Sequence, residues 1–192
     1  MDRKNVYQLR DIALNTSRLV FNYNQLSRAL GYERNLVKVY ASRLVKRGLA
    51  SKIADGIISF TDDRFIIATQ LVEPSYISMT SALYLQELIL QAPSYVECIT
   101  THGTKRILEI EYHKIHPKLF FGYERKERGQ SYIFLATPEK AVLDMVYLGL
   151  LYPLIQQEVL PRLNKERLLN YAKRFKETRK GKRVAMWVNQ NA

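Results

Sequence analysis

Between Glu33 and Arg47 the chain concentrates hydrogen-bond donors and, past Glu33, carries no acid: Arg34, Asn35, Lys38, Ser42, Arg43, Lys46 and Arg47. Arginine and lysine hydrogen-bond the O6/N7 edge of guanine, asparagine pairs with adenine N6/N7, and serine accepts several partners. Cations beyond those needed for base edges neutralise phosphates. Placed at about 100° per residue, Leu36, Val37, Tyr40, Ala41 and Leu44 share one side of a helix. Arg34, Asn35, Lys38, Val39, Ser42 and Lys46 occupy the other, with Arg43 and Arg47 on the flank. The pattern implies a helix that buries one stripe and offers donors from the opposite one.

Such a helix needs a support, and the flanking sequence predicts it. Val6, Leu9, Ile12 and Ala13 place a first helix over residues 5–15. A second runs from Asn24, read as its N-cap, to Leu30, with Leu26, Ala29 and Leu30 inward and Gly31 ending it. The donor-bearing helix spans Glu33 to Arg47 and stops at Gly48. Leu49–Ala54 and Ile57–Phe60, joined by Asp55-Gly56, form a two-residue hairpin. Helix, short helix, turn, basic helix and hairpin, in that order over residues 1–68, define a winged helix-turn-helix. In that motif the second helix enters the major groove. Asn35 is then the reader of adenine and Arg34 or Lys38 of guanine, with Ser42 able to pair with several groups. Arg43, Lys46, Arg47 and, on the wing side, Lys52 are phosphate contacts. A winged helix used only to dock another protein is the alternative; the outward bases argue against it.

Residues 69–192 read as an α+β domain. A linker or short helix over 60–69 and the Glu73-Pro74 step precede it. A helix follows over Ser75–Gln91, then strands at Tyr95–Thr101, Ile107–His113, Leu119–Tyr123 and Ser131–Ala136, read as an antiparallel sheet with the basic loops Lys105-Arg106 and Arg125–Gly129 between some of them. Thr137-Pro138-Glu139 opens a buried helix running to Tyr152. Asp144 in its middle reads as a buried carboxylate paired with a backbone donor or a base, not a catalyst. Asn164 caps a further helix with the inner stripe Leu168, Leu169, Ala172 and Phe175. The tail Lys173–Arg183 is basic and reads as a solvated helix, a second DNA contact or a partner-binding helix.

The net charge of +12 is unevenly placed: 12 bases against 6 acids in residues 1–68, 8 against 10 in 69–161, and 10 against 2 in 162–183. Basic ends around a near-neutral centre suit a polyanionic partner, most simply double-stranded DNA. The single cysteine, Cys98, forms no intramolecular disulfide and lies in an apolar run, so it reads as a small buried hydrophobe in a reducing cytoplasm. The first residues lack the apolar stretch of a signal peptide, and no run approaches the roughly 18 apolar residues of a membrane span.

Enzymatic readings find little. His113 and His116 have a metal-like spacing, but Pro117 follows and no cysteine is near; there is no glycine-rich phosphate loop. Glu109 and Glu111, with Glu124-Arg125-Lys126, faintly suggest a magnesium-dependent nuclease, which needs carboxylates beside a lysine. The expectation is no enzyme, no metal and no cofactor. The main rival is a one-component regulator whose second domain dimerises or senses a ligand, with Tyr112, Phe120, Phe121 and Tyr123 as candidate pocket aromatics.

Three stretches add a resemblance. Ser42–Leu49 (SRLVKRGL), Leu71–Ser78 (LVEPSYIS) with Ser81-Ala82-Leu83, and Thr137–Asp144 (TPEKAVLD) stand in the order found in AbiEi-type antitoxins of abortive-infection, type IV toxin–antitoxin systems. The chain resembles that family over most of its length and differs from some members in its basic C-terminal segment. The resemblance implies a first domain that binds repeats in its own promoter and represses the operon. It also implies a second domain that counteracts a co-encoded nucleotidyltransferase-like toxin.

Overall fold

The computed structural model describes residues 6–191, so Asn5 of the helix expected over residues 5–15 lies outside the described residues, within which that helix spans Val6–Leu14. The chain is α+β, with nine α-helices and two sheets among the described residues. It divides into two compact units. One runs to Glu73 and takes in Lys126–Ile133; the other comprises Pro74–Arg125 and the chain from Phe134 onward.

In the first unit the order is α1 (Val6–Leu14), β1 (Val20–Asn22), α2 (Tyr23–Leu30), α3 (Arg34–Lys46), β2 (Ser51–Ala54), β3 (Ile57–Ser59) and α4 (Arg64–Leu71). Helix α2 is capped by Asn22, not Asn24. The Asn22 carboxamide accepts from the Gln25 amide at 2.8 Å and the Asn22 amide donates to the Gln25 side chain at 2.9 Å. This reciprocal capping box satisfies two otherwise orphaned donors. Gly31 closes the helix at φ 69°, a left-handed conformation that favours glycine. Val6, Leu9, Ala13, Leu26, Leu30, Val37, Tyr40, Ala41 and Leu44 make one core with Phe21 and Ile58 of the sheet. The hairpin turns at Asp55-Gly56, with β3 between β1 and β2 in an antiparallel sheet and a bulge between Lys52 and Ala54.

Strand β1 and the burial of α4 are not visible in the sequence pattern. The expected division at residue 68 falls inside α4. Asp63 caps that helix by accepting from the Phe65 and Ile66 amides, and it also accepts from Arg128 Nε at 2.6 Å. Gln70, 3% exposed, accepts from the Leu19 and Val20 amides at 2.9 and 3.1 Å and donates to Ser131 Oγ at 2.9 Å. Arg18 forks onto Glu73 at 2.8 and 2.9 Å.

The larger sheet has six strands in the order β6-β7-β5-β4-β9-β8, and all of it but Lys126–Ile133 belongs to the second unit. The strands are β4 (Ser75–Ile77), β5 (Val96–Thr100), β6 (Lys105–Ile107), β7 (Ile110–Lys114), β8 (Tyr123–Arg128) and β9 (Ser131–Ala136). The expected antiparallel sheet is corrected to a mixed one: β5 pairs β7 in parallel, and β4 pairs β9 in parallel. Parallel partners need a crossover, and here each pair is separated by intervening chain. Residues 105–106 and 125–128, expected as charged loops, lie in the two edge strands, where charge discourages pairing with another sheet. Helices α5 (Met79–Leu85), α6 (Pro138–Leu148), α7 (Pro153–Val159), α8 (Lys165–Phe175) and α9 (Lys182–Asn191) complete the second unit. The helix expected over Ser75–Gln91 is thus a buried strand and a two-turn helix. The segment 119–123, expected as a strand, begins in a single 3₁₀ turn, and only Tyr123 joins β8. Thr137 and Asn164 cap α6 and α8 as expected, but α6 ends at Gly149 and Leu169 is exposed. The buried stripe of α8 is Leu168, Ala172 and Phe175, the i, i+4, i+7 set that leaves Leu169 about 100° off. No described helix is long and apolar enough to cross a membrane.

Gln70→Leu is expected to strip the Leu19 and Val20 amides of their acceptor and cost about 1–3 kcal/mol, read as a lower urea midpoint with unchanged slope.

Candidate nucleic-acid interface

Helix α3 hides Val37, Tyr40, Ala41 and Leu44, each at most 6% exposed. Leu36, expected on that side, is 42% exposed; it lies about 90° from the centre of the buried stripe, at its margin. Arg34, Asn35, Lys38, Ser42, Arg43, Lys46, Arg47 and, on β2, Lys52 are all exposed. The arc opposite the buried stripe centres on Asn35, Val39, Ser42 and Lys46, with Arg34 and Lys38 on one flank and Arg43 on the other.

These side chains differ in how they are held. The Arg43 guanidinium lies 5.6 Å from the Tyr40 ring centroid and that of Arg47 5.9 Å from Tyr7. Such contacts restrain a long side chain and leave its outer N–H groups open. Lys52 pairs with Asp55 at 3.4 Å, both exposed; a pair of this kind is weak and yields readily to a phosphate. Arg34, Asn35, Lys38, Ser42 and Lys46 bond to no side chain or backbone group among the described residues. The face therefore combines free donors with two aromatic-braced arginines.

Among the described residues no group of three His, Cys, Asp or Glu converges as metal binding requires. His116 Nδ1 accepts from the Lys118 amide at 3.3 Å, so it caps a turn. Glu111 is bound to Arg106 at 2.7 Å, and Glu109 is exposed at the β6–β7 turn. Glu111 on β7 and Glu124 on β8 are four strands apart in the sheet, roughly 19 Å. The nuclease-like set is not brought together. Tyr112 and Phe121 are buried core residues, and Phe120 and Tyr123 pack on Tyr76 at 5.0 and 4.7 Å between ring centroids. A cleft of about 520 Å³ opens elsewhere in the second unit, lined by Tyr95, Tyr152, Leu154, Glu97 and Glu111 among others. Cys98 is buried, and burial pushes its thiol pKa up, away from nucleophilic use.

Asp144 has its base. With no solvent exposure it pairs with Lys140, one turn earlier and equally buried, and accepts from Tyr76 Oη at 3.0 Å and Ser78 Oγ at 2.8 Å. Burial pushes the Asp144 carboxyl above its ordinary range and Lys140 below its own, while each partner opposes the shift of the other. The Lys140 ammonium also faces the rings of Tyr76, Phe121 and Phe175 at 5.1–5.4 Å. The cluster joins the LVEPSYIS and TPEKAVLD stretches, and nothing in it reaches solvent. Sequence reasoning singled out Asp144 alone; Lys140 carries the i, i+4 signal. In the tail, Lys173, Arg174, Lys176, Lys180, Lys182 and Arg183 are exposed. Arg174 stacks on Phe121 at 3.6 Å, and α9 buries Val184 and Val188. The side chain of Arg179 lies outside the described set.

The chain matches no protein-family model and no curated protein.

Asp144→Leu alone is expected to strand a buried ammonium and cost about 3–5 kcal/mol. Adding Lys140→Met should return most of that loss in urea unfolding. A double variant no more stable than Asp144→Leu would contradict the pairing.

Proposed function

We propose that the chain is a regulator that binds double-stranded DNA, with its first unit a winged helix-turn-helix that lays α3 in the major groove. One observation carries this reading: a helix with four residues locked in the core presents only bases, an amide, a hydroxyl and two aliphatics outward. Asn35, with Arg34 or Lys38, reads base edges; Arg43, Lys46, Arg47 and Lys52 fix the register on phosphates, with Lys52 on the wing. The β2–β3 hairpin beside that helix supports the wing assignment.

The narrower proposal rests on the three sequence stretches alone. By resemblance to AbiEi-type antitoxins, the protein represses its own operon at promoter repeats and counteracts a nucleotidyltransferase-like toxin in the cytoplasm. Co-expression with the product of the adjacent gene tests it: growth rescue supports the antitoxin role, and no rescue rejects it. The 520 Å³ cleft favours a second reading, a one-component regulator whose second unit takes a small ligand.

The DNA reading is tested by anisotropy titrations on a duplex from upstream of its own gene at several salt concentrations. Arg43→Ala is expected to weaken binding and lower the slope of log K against log salt by about 0.9. Lys38→Ala should cost about 1–3 kcal/mol and relax base preference. Unchanged affinity in both variants would remove α3 as the reader.

A further inference from the structure

At the centre of the outward arc of α3, between Asn35 one turn before it and Ser42 one turn after, stands Val39, 46% exposed. Every neighbour on that arc is a donor. Valine is a poor choice for a solvated helix position: it is β-branched, loses rotamer freedom and has lower helix propensity than lysine or glutamate. Leu36, the other exposed aliphatic of α3, lies at the margin of the buried stripe, where partial exposure follows from geometry. Val39 is nearly opposite that stripe, so packing does not account for it.

Resting on the DNA reading above, we infer that Val39 is a specificity-determining residue that seats against the 5-methyl group of a thymine. In the major groove that methyl is the only apolar feature of a base edge, and apolar side chains read it by contact. The surrounding cations supply charge complementarity to a duplex and to no apolar partner. Four residues of helix advance about 6 Å, and successive base pairs about 3.4 Å. The adenine paired with Asn35 and the thymine against Val39 therefore fall one or two base pairs apart. The helix reads a short A/T-containing step, with Arg34 and Lys38 selecting its flank.

The test removes the methyl and nothing else. The protein selects its tightest binder from a pool of random 20-base-pair duplexes, and each thymine of that duplex is replaced in turn by deoxyuridine. Wild-type affinity is expected to fall about fourfold at one thymine, the worth of burying one methyl group. Val39→Ala, at an exposed site with the best helix former, should bind more weakly and be insensitive to that replacement. Leu36→Ala should keep the sensitivity. A selected duplex whose every deoxyuridine form binds like the parent, or a Val39→Ala variant that still loses fourfold, overturns the contact and leaves DNA binding standing. Enrichment of no duplex overturns the DNA reading and the contact with it.

Discussion

Everything proposed for the first unit depends on the burial of one stripe of α3. Val37, Tyr40, Ala41 and Leu44 share a core with α1, α2 and the small sheet. Full burial of a Val or Leu side chain contributes roughly 1.5–3 kcal/mol, so rotating the helix by even one residue would be costly. That constraint fixes which side chains face away. The orientation of Asn35, Ser42 and Lys46 is a consequence of where the greasy residues go, and the outward donors need no partner of their own to be held in register. The Asn22–Gln25 capping box sets where α2 begins, and the left-handed Gly31 sets where it ends and the chain turns toward α3. The helix start at Arg34 is thereby decided by its neighbours, since Glu33 makes no side-chain cap.

The second unit solves a different problem. A lysine and an aspartate with no solvent access are costly to desolvate, and the cost is offset only when both are hydrogen-bonded. Asp144 takes three donors and Lys140 sits among three aromatic rings. Tyr76 and Ser78, from the segment around β4, meet two positions one turn apart on α6. Two of the three stretches behind the resemblance, LVEPSYIS and TPEKAVLD, thus meet in this buried cluster, and their residues there are held by packing and hydrogen bonds within the protein.

Much of this was legible in the sequence where periodicity is long. The thirteen residues of α3 and the Asp-Gly turn carry strong local signals, as do the Thr137 and Asn164 caps. Three-residue strands do not. Val20–Asn22 and Ser75–Ile77 are too short for an alternation to show, and the second merges with the apolar start of α5, which made the whole stretch read as helix. The mixed sheet was hidden because strand order is a non-local property: parallel neighbours β5 and β7 enclose β6 in sequence. The outward residues were assigned correctly to a face because exposure on a helix follows from angle alone. Leu36 failed only because it lies at the margin. Lys140 stands one turn before Asp144, but a single cation in an apolar helix reads as a surface residue unless that i, i+4 pairing is weighed.

Mapping duplex contact onto the backbone by amide chemical-shift changes is the most direct measurement of the central claim. On addition of the duplex the protein selects, the account predicts the largest shifts in residues 34–47 and in the hairpin 51–57, with little change in α6 around Asp144. Saturable binding that shifts other residues and leaves the amides of Asn35, Val39 and Ser42 unmoved would contradict it.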